Sequence, residues 1–115
     1  MVDQSVIDAV QSYLQVLRHN GMLVDFAVLY GSHARGNATE VSDIDVMVVS
    51  PLFDNDTNWN NVRRLWHATL NADVRIEPVG VGTRQWEEDD SMALINIARR
   101  EGQIIHPAHG AVGFA

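Results

Sequence analysis

The run Ser42-Asp43-Ile44-Asp45-Val46-Met47-Val48-Val49 constrains this chain more tightly than any other. Its apolar residues predict a strand from Ile44 to Val49. The period of two then sets Asp43 and Asp45 on one face, roughly 6.5–7 Å apart along the chain. Two carboxylates that close repel, and one takes up a proton unless a cation meets them. Upstream, the apolar segment Met22–Tyr30 predicts a first strand that stops at Gly31-Ser32. A strand ending in Gly-Ser offers backbone N–H groups and a hydroxyl, a suitable cradle for phosphate oxygens. Hard cations such as Mg²⁺ prefer carboxylate oxygens and finish their shell with water and substrate phosphates. A third carboxylate on a neighbouring polar strand face would complete a site for one or two ions.

The remaining segments read as support for that pair. Val6, Ile7, Val10, Tyr13, Leu14 and Leu17 recur at helical spacing and predict a helix over 4–20, with Asp3 as N-cap and Gly21 just past the end. His33-Ala34-Arg35 suits a short helix or turn ended by Gly36, and Asn37–Ser42 reads as a loop. Asp56 or Thr57 could cap a helix over 58–70 whose buried side is Trp59, Val62, Leu65, Trp66 and Leu70. Ala72–Val81 reads as a third strand, with Val74, Ile76 and Val79 to one side and Asp73, Arg75 and Glu77 to the other. Three charges on one strand face mean either solvent or a polar site. An acidic stretch over 84–90 that starts a short helical turn, a helix from Met92 to Gly102, a short strand over 103–106 and a loose tail over 107–115 complete the chain. The order predicts one α/β (α+β) domain over 1–115, a small mixed sheet with helices packed against it.

Bulk properties narrow the partners. Hydrophobic residues at 46% and charged residues at 20% are globular values and exclude a disordered chain. No apolar run approaches the ~20 residues that span a bilayer, so no membrane partner is expected. The formal charge of −7 disfavours autonomous nucleic-acid binding, which needs a basic face for the phosphates. A nucleotide held through a metal ion escapes that objection, because the cation supplies the positive charge. Asp3 and Asp8 stand where a signal peptide carries basic residues, and there is no cysteine, so a cytoplasmic protein is expected.

Gly31-Ser32-x-Ala34-Arg35-Gly36, six residues, and Ser42-Asp43-Ile44-Asp45-Val46 resemble the signature of the nucleotidyltransferase superfamily with the DNA polymerase β-type palm, closest to its minimal nucleotidyltransferases. The resemblance runs from about residue 22 to residue 106. It implies transfer of a nucleoside monophosphate, AMP from ATP or the equivalent from another nucleoside triphosphate, to an acceptor hydroxyl. By position, Asp43 and Asp45 would ligate Mg²⁺ or Mn²⁺. Gly31 and Ser32 would hold the β- and γ-phosphates, with Arg35 and Ser42 supporting that loop. Asp73 would be the third metal-binding and catalytic acid, with Glu77 as the fallback. Small members of this kind are often paired with a helical HEPN-type protein as toxin–antitoxin modules, in which the nucleotidyltransferase adenylylates and neutralises its partner. The other readings of the same residues are a non-catalytic nucleotide-binding or partner-masking module and a small-molecule, antibiotic-type nucleotidyltransferase. A homo-oligomer stays open.

Other conspicuous residues have plainer readings. Val46 and Met47 exclude an EF-hand, and the absence of Gly-Lys-Ser/Thr excludes a P-loop. His33 is expected to be an exposed side chain and His67 a structural one; His106 and His109 are incidental tail residues. Trp59 and Trp66, seven apart, are expected in the core. Arg75 either offsets carboxylate charge or touches phosphate, and Glu87–Asp90 is a solvated acidic turn.

Overall fold

Asp3 opens the first helix, its carboxylate accepting a hydrogen bond from the Ser5 amide at 3.2 Å. This helix, α1 (Gln4–His19), buries Val6, Val10, Tyr13, Leu14 and Leu17 along one stripe. It ends in a Schellman arrangement: Gly21 has φ 88°, its amide reaches Arg18 O, and the Met22 amide reaches Leu17 O, both at 3.0 Å. The chain then runs through β1 (Phe26–Tyr30), α2 (Ser32–Arg35), β2 (Ile44–Val49), a 3₁₀ turn at Pro51–Phe53, α3 (Trp59–Thr69), β3 (Ile76–Val81), α4 (Thr83–Glu88), α5 (Ala93–Glu101) and β4 (Gln103–Ile105). These elements come from a computed structural model that describes residues 2–54 and 59–108. The proposed caps Asp56 and Thr57, and His109, lie outside the described residues.

The four strands form one mixed sheet in the order β3-β2-β1-β4. β1 is antiparallel to both β2 and β4, whereas β2 and β3 run parallel. The parallel pair needs a crossover, and α3 supplies it. Ala27, Leu29, Ile44, Val46, Val48 and Ile76 face α1 and α3 in one core. Val28, Tyr30, Met47, Val49 and Val81 face the other way and meet Ile95 and Ala98 of α5. A strand covered on both sides reads as an unbroken apolar run, which is why Val46-Met47-Val48-Val49 shows no alternation.

Four expectations change. The third strand begins at Ile76, not Ala72, because Asp73 turns the chain: its carboxylate accepts from the Arg75 amide at 2.9 Å and its carbonyl from the Ile76 amide at 3.1 Å. The first strand begins at Phe26, although Met22 and Val24 still reach the core from the preceding loop. The largest change is the phase of α3. Its core-facing residues are Leu65, Ala68 and Thr69. Trp59, Trp66 and Leu70 are instead 70%, 48% and 71% exposed. The buried hydroxyl of Tyr13 donates to Leu65 O at 2.7 Å and pins this phase. The small Ala68 and Thr69 then let the helix lie close to the sheet, where two tryptophans would not fit. His67, expected to be structural, is exposed.

Candidate active site

Gly31 ends β1 with φ 76° and ψ −153°, a backbone conformation open essentially to glycine alone. The reversal starts α2, which closes through Gly36 at φ 81°, whose amide reaches Ser32 O. A Cβ on Gly31 would stand 2.3 Å from Oδ2 of Asp45, so the Gly31 backbone and the Asp45 carboxylate are in direct contact. Glycine is needed here twice over, for the dihedral angles and for the space.

Residues 37–43 return the chain to β2. Ser42 closes that loop on itself: its amide donates to Thr39 O at 3.1 Å and its hydroxyl accepts from the Thr39 amide at 2.9 Å. Asp43 follows at once, exposed just ahead of β2. Asp45 is half-buried on β2, opposite Tyr30 on β1 and opposite Glu77 on β3. Facing residues on neighbouring strands share a sheet face at a spacing of about 5 Å. Tyr30, Asp45 and Glu77 therefore form a row across three strands, with Asp43 at one end.

The electrostatics mark this row as short of positive charge. Burial pushes the Asp45 carboxyl above the usual carboxylate range and Asp43 adds to it, while His33 and Arg35 pull the other way. Glu77 is raised chiefly by its hydrogen bond with the Asp43 carboxyl, then by burial and the charges of Asp43 and Asp45. Tyr30 is pushed up to about 12, by burial first and then by Asp45 and Glu77. These are the conditions under which a cation is drawn to carboxylates.

Asp73 lies apart from the row. It pairs with Arg75 at 2.8 Å, and that partner holds its carboxyl below the usual range. Arg75 also donates to Glu40 O at 3.3 Å, and its own carbonyl accepts from the Ile44 amide at 2.8 Å. The pair thus ties the loop before Asp43 to the head of β3. Of the expected site residues, the fold brings Gly31, Asp43, Asp45 and Glu77 together, with Ser32 and the exposed Arg35 following on α2. Ser42 braces the loop. His33, expected to be exposed, is half-buried, with its Nε2 3.4 Å from Ser42 O.

Residues 10–102 match the profile of the nucleotidyltransferase domain. The chain belongs to that family. The nucleotidyltransferase fold is also found in solved structures. One, from Sulfolobus solfataricus and assigned as a nucleotidyltransferase, superposes with a TM-score of 0.57 at 11% identity, covering 87% of this chain and 78% of that one. A toxin–antitoxin crystallised with AMP-PNP superposes with a TM-score of 0.53 at 23% identity, covering 86% of this chain and 74% of that one. Among curated proteins none matches the chain.

Within this nucleotidyltransferase domain, two residues of consequence escaped sequence reasoning. Tyr30 is one; its signal was the period of two from Val28, which sets it on the acid face. Asp54 is the other: it accepts from the Arg84 and Gln85 amides at 3.0 and 3.1 Å and so caps α4 from a distant loop. Nothing local in the sequence announces that contact. Among the described residues, no three carboxylate, imidazole or thiol side chains are closed up around a ready-made ion cage. A Mg²⁺ site does not need one, since that ion usually takes one or two carboxylates and completes its shell with water and phosphate.

Proposed function

We propose that this domain transfers AMP from ATP to a hydroxyl of a partner protein, using Mg²⁺ or Mn²⁺ held by Asp43 and Asp45 with Glu77 as the third acid. The observation that carries the reading is the register Asp45↔Glu77 beside the contact of Asp45 with Gly31. The donor set fits a hard divalent cation: all-oxygen, like-charged, and with Asp45 and Glu77 raised above their ordinary range. Asp73 gives up the role expected of it, because a carboxylate already neutralised by Arg75 is a poor ligand and sits off the row. Its part is to position the loop.

Bound there, the cation would offset charge on the triphosphate and lower the pKa of the attacking hydroxyl. The chain's own groups do the rest. Backbone amides and the hydroxyl at Gly31-Ser32 receive the β- and γ-phosphate oxygens, and Arg35 adds positive charge beside them. Glu77 accepts the proton from the acceptor hydroxyl. That oxygen bonds to the α-phosphorus as the bond to the β-phosphate oxygen breaks, and pyrophosphate leaves. The similar fold in a toxin–antitoxin holding an ATP analogue supports both adenosine triphosphate and a protein partner; a helical HEPN-type partner is what the sequence resemblance implies.

Labelled ATP with Mg²⁺ and a cell extract, followed by mass spectrometry, tests this directly. The wild type should label one protein, Asp43→Asn none, and Glu77→Gln should lose about 10²-fold or more of the rate. Asp73→Asn should keep most of it. Absence of triphosphate binding by calorimetry, together with unchanged behaviour of Asp43→Asn and Asp45→Asn, would sink the proposal.

A further inference from the structure

We infer that the outward face of α3 is a docking surface for an acid-bearing helix of a partner protein. Trp59, Arg63, Trp66 and Leu70 follow one another at spacings of four, three and four residues. That is the a/d spacing along which a second helix packs side by side with the first. Three of the four are large apolar residues left in water. At their exposures they present roughly 400 Å² of apolar surface, the size of a functional patch and about half of one partner's share in a standard interface. Tryptophan and arginine are also the residues that most often dominate binding energy.

The fourth seam position sets the partner's charge. Among the described residues Arg63 reaches only Asn60 Oδ1, at 3.4 Å, and forms no ion pair with an acid. Beside the seam, a cleft of about 440 Å³ between α1 and α3 is lined by Arg63, Arg64, His67, Leu17 and Met22 among others, with no acid among the described residues. A local basic patch in a chain of net charge −7 is complementary to carboxylates. A second copy would double the basic residues in the seam and supply no acid, and nucleic acid would meet the repulsion of the whole chain. α3 packs on the sheet face opposite the Tyr30–Asp45–Glu77 row. A helix docked there leaves the acids open.

The inference shares with the proposed function only the premise of a protein partner, and its readout is independent of nucleotide transfer. In the native host, p-benzoylphenylalanine at position 66 of the full chain is photocrosslinked, and the adduct is mapped by mass spectrometry. The expected adduct joins one other protein, on a helical segment with Asp or Glu within about one turn of the crosslink. Arg63→Glu in the same chain should cut the yield about tenfold or more, and Arg63→Lys should keep about half of it. Both variants should melt with the parent, since residue 63 is exposed. No adduct beyond that from the same group at Glu101, an adduct with a second copy, with nucleic acid or within the chain, or indifference to Arg63→Glu would overturn the inference.

Discussion

Replacing Gly31 by alanine separates the two demands on that residue. The backbone there lies in a region that costs a non-glycine residue about 1–3 kcal/mol. The new Cβ would also stand 2.3 Å from Asp45 Oδ2 and 3.1 Å from its Cγ, so the carboxylate must swing aside. Moving one short side chain off its rotamer adds about 1 kcal/mol. The sum is about 3 kcal/mol. With an unfolding entropy near 2.1 cal/mol/K per residue, a chain of this length should melt about 12 °C lower. Gly21→Ala is the control: its φ of 88° is comparable, but nothing lies within 4 Å of the added Cβ. It should melt only about 4–8 °C lower. In an Asp45→Ala background, Gly31→Ala should lose the roughly 1 kcal/mol of side-chain displacement and recover about 4 °C. Nucleotide transfer by Gly31→Ala should drop about 10²-fold or more through displacement of Asp45, while Gly21→Ala stays active. Thermal melts followed by circular dichroism read the first three quantities. A Gly31→Ala variant melting within about 2 °C of wild type would refute the argument.

Removing one charge from the acid row should stabilise the protein free of divalent cation. Asp45 binds its proton more tightly folded than unfolded, so its contribution is fully present below the ordinary carboxylate pKa and is lost as pH rises through the raised value. At pH 7.5 Asp45→Asn should therefore melt about 2 °C higher than wild type, and the gap should close on acidification or on adding Mg²⁺. Asp73 has the opposite sign: its lowered carboxyl contributes above the ordinary pKa and loses that contribution as pH falls through the depressed value. Asp73→Asn should lower the melting temperature at pH 7 and leave it unchanged in strong acid, checked by melts across pH 2–8, a range set by ~3.9 for free Asp. Tyr13→Phe should cost about 1 kcal/mol, or about 4 °C, by removing the hydroxyl's bond to Leu65 O.

Elements with local causes were legible in the sequence. α1 carries its stripe, its cap and its terminating glycine within about twenty residues, and the Gly-Ser and Asp-x-Asp ends of β1 and β2 carry their own punctuation. The preference for Asp73 over Glu77 as third acid rested on the resemblance alone, because the two lie four apart and strict alternation puts both on one face. Only the turn made by Asp73 itself breaks that alternation. The tryptophans of α3 misled for a different reason. Helical spacing places Trp59, Trp66 and Leu70 together but does not say which way they point. A hydroxyl 52 residues away along the chain makes that choice.

The sheet order gives Glu77 a particular vulnerability. Among the described residues β3 is an edge strand, paired on the β2 side alone, and it carries Pro78, which has no N–H to donate. Edge strands open more readily than the strands they lean on. Peeling of β3 would take Glu77 out of the acid row and draw Ile76 and Val81 out of the two cores with it. In mild denaturant Glu77 should leave Asp45 before β1 leaves β2. If Glu77 is the third acid, nucleotide transfer should fail before β1 and β2 part.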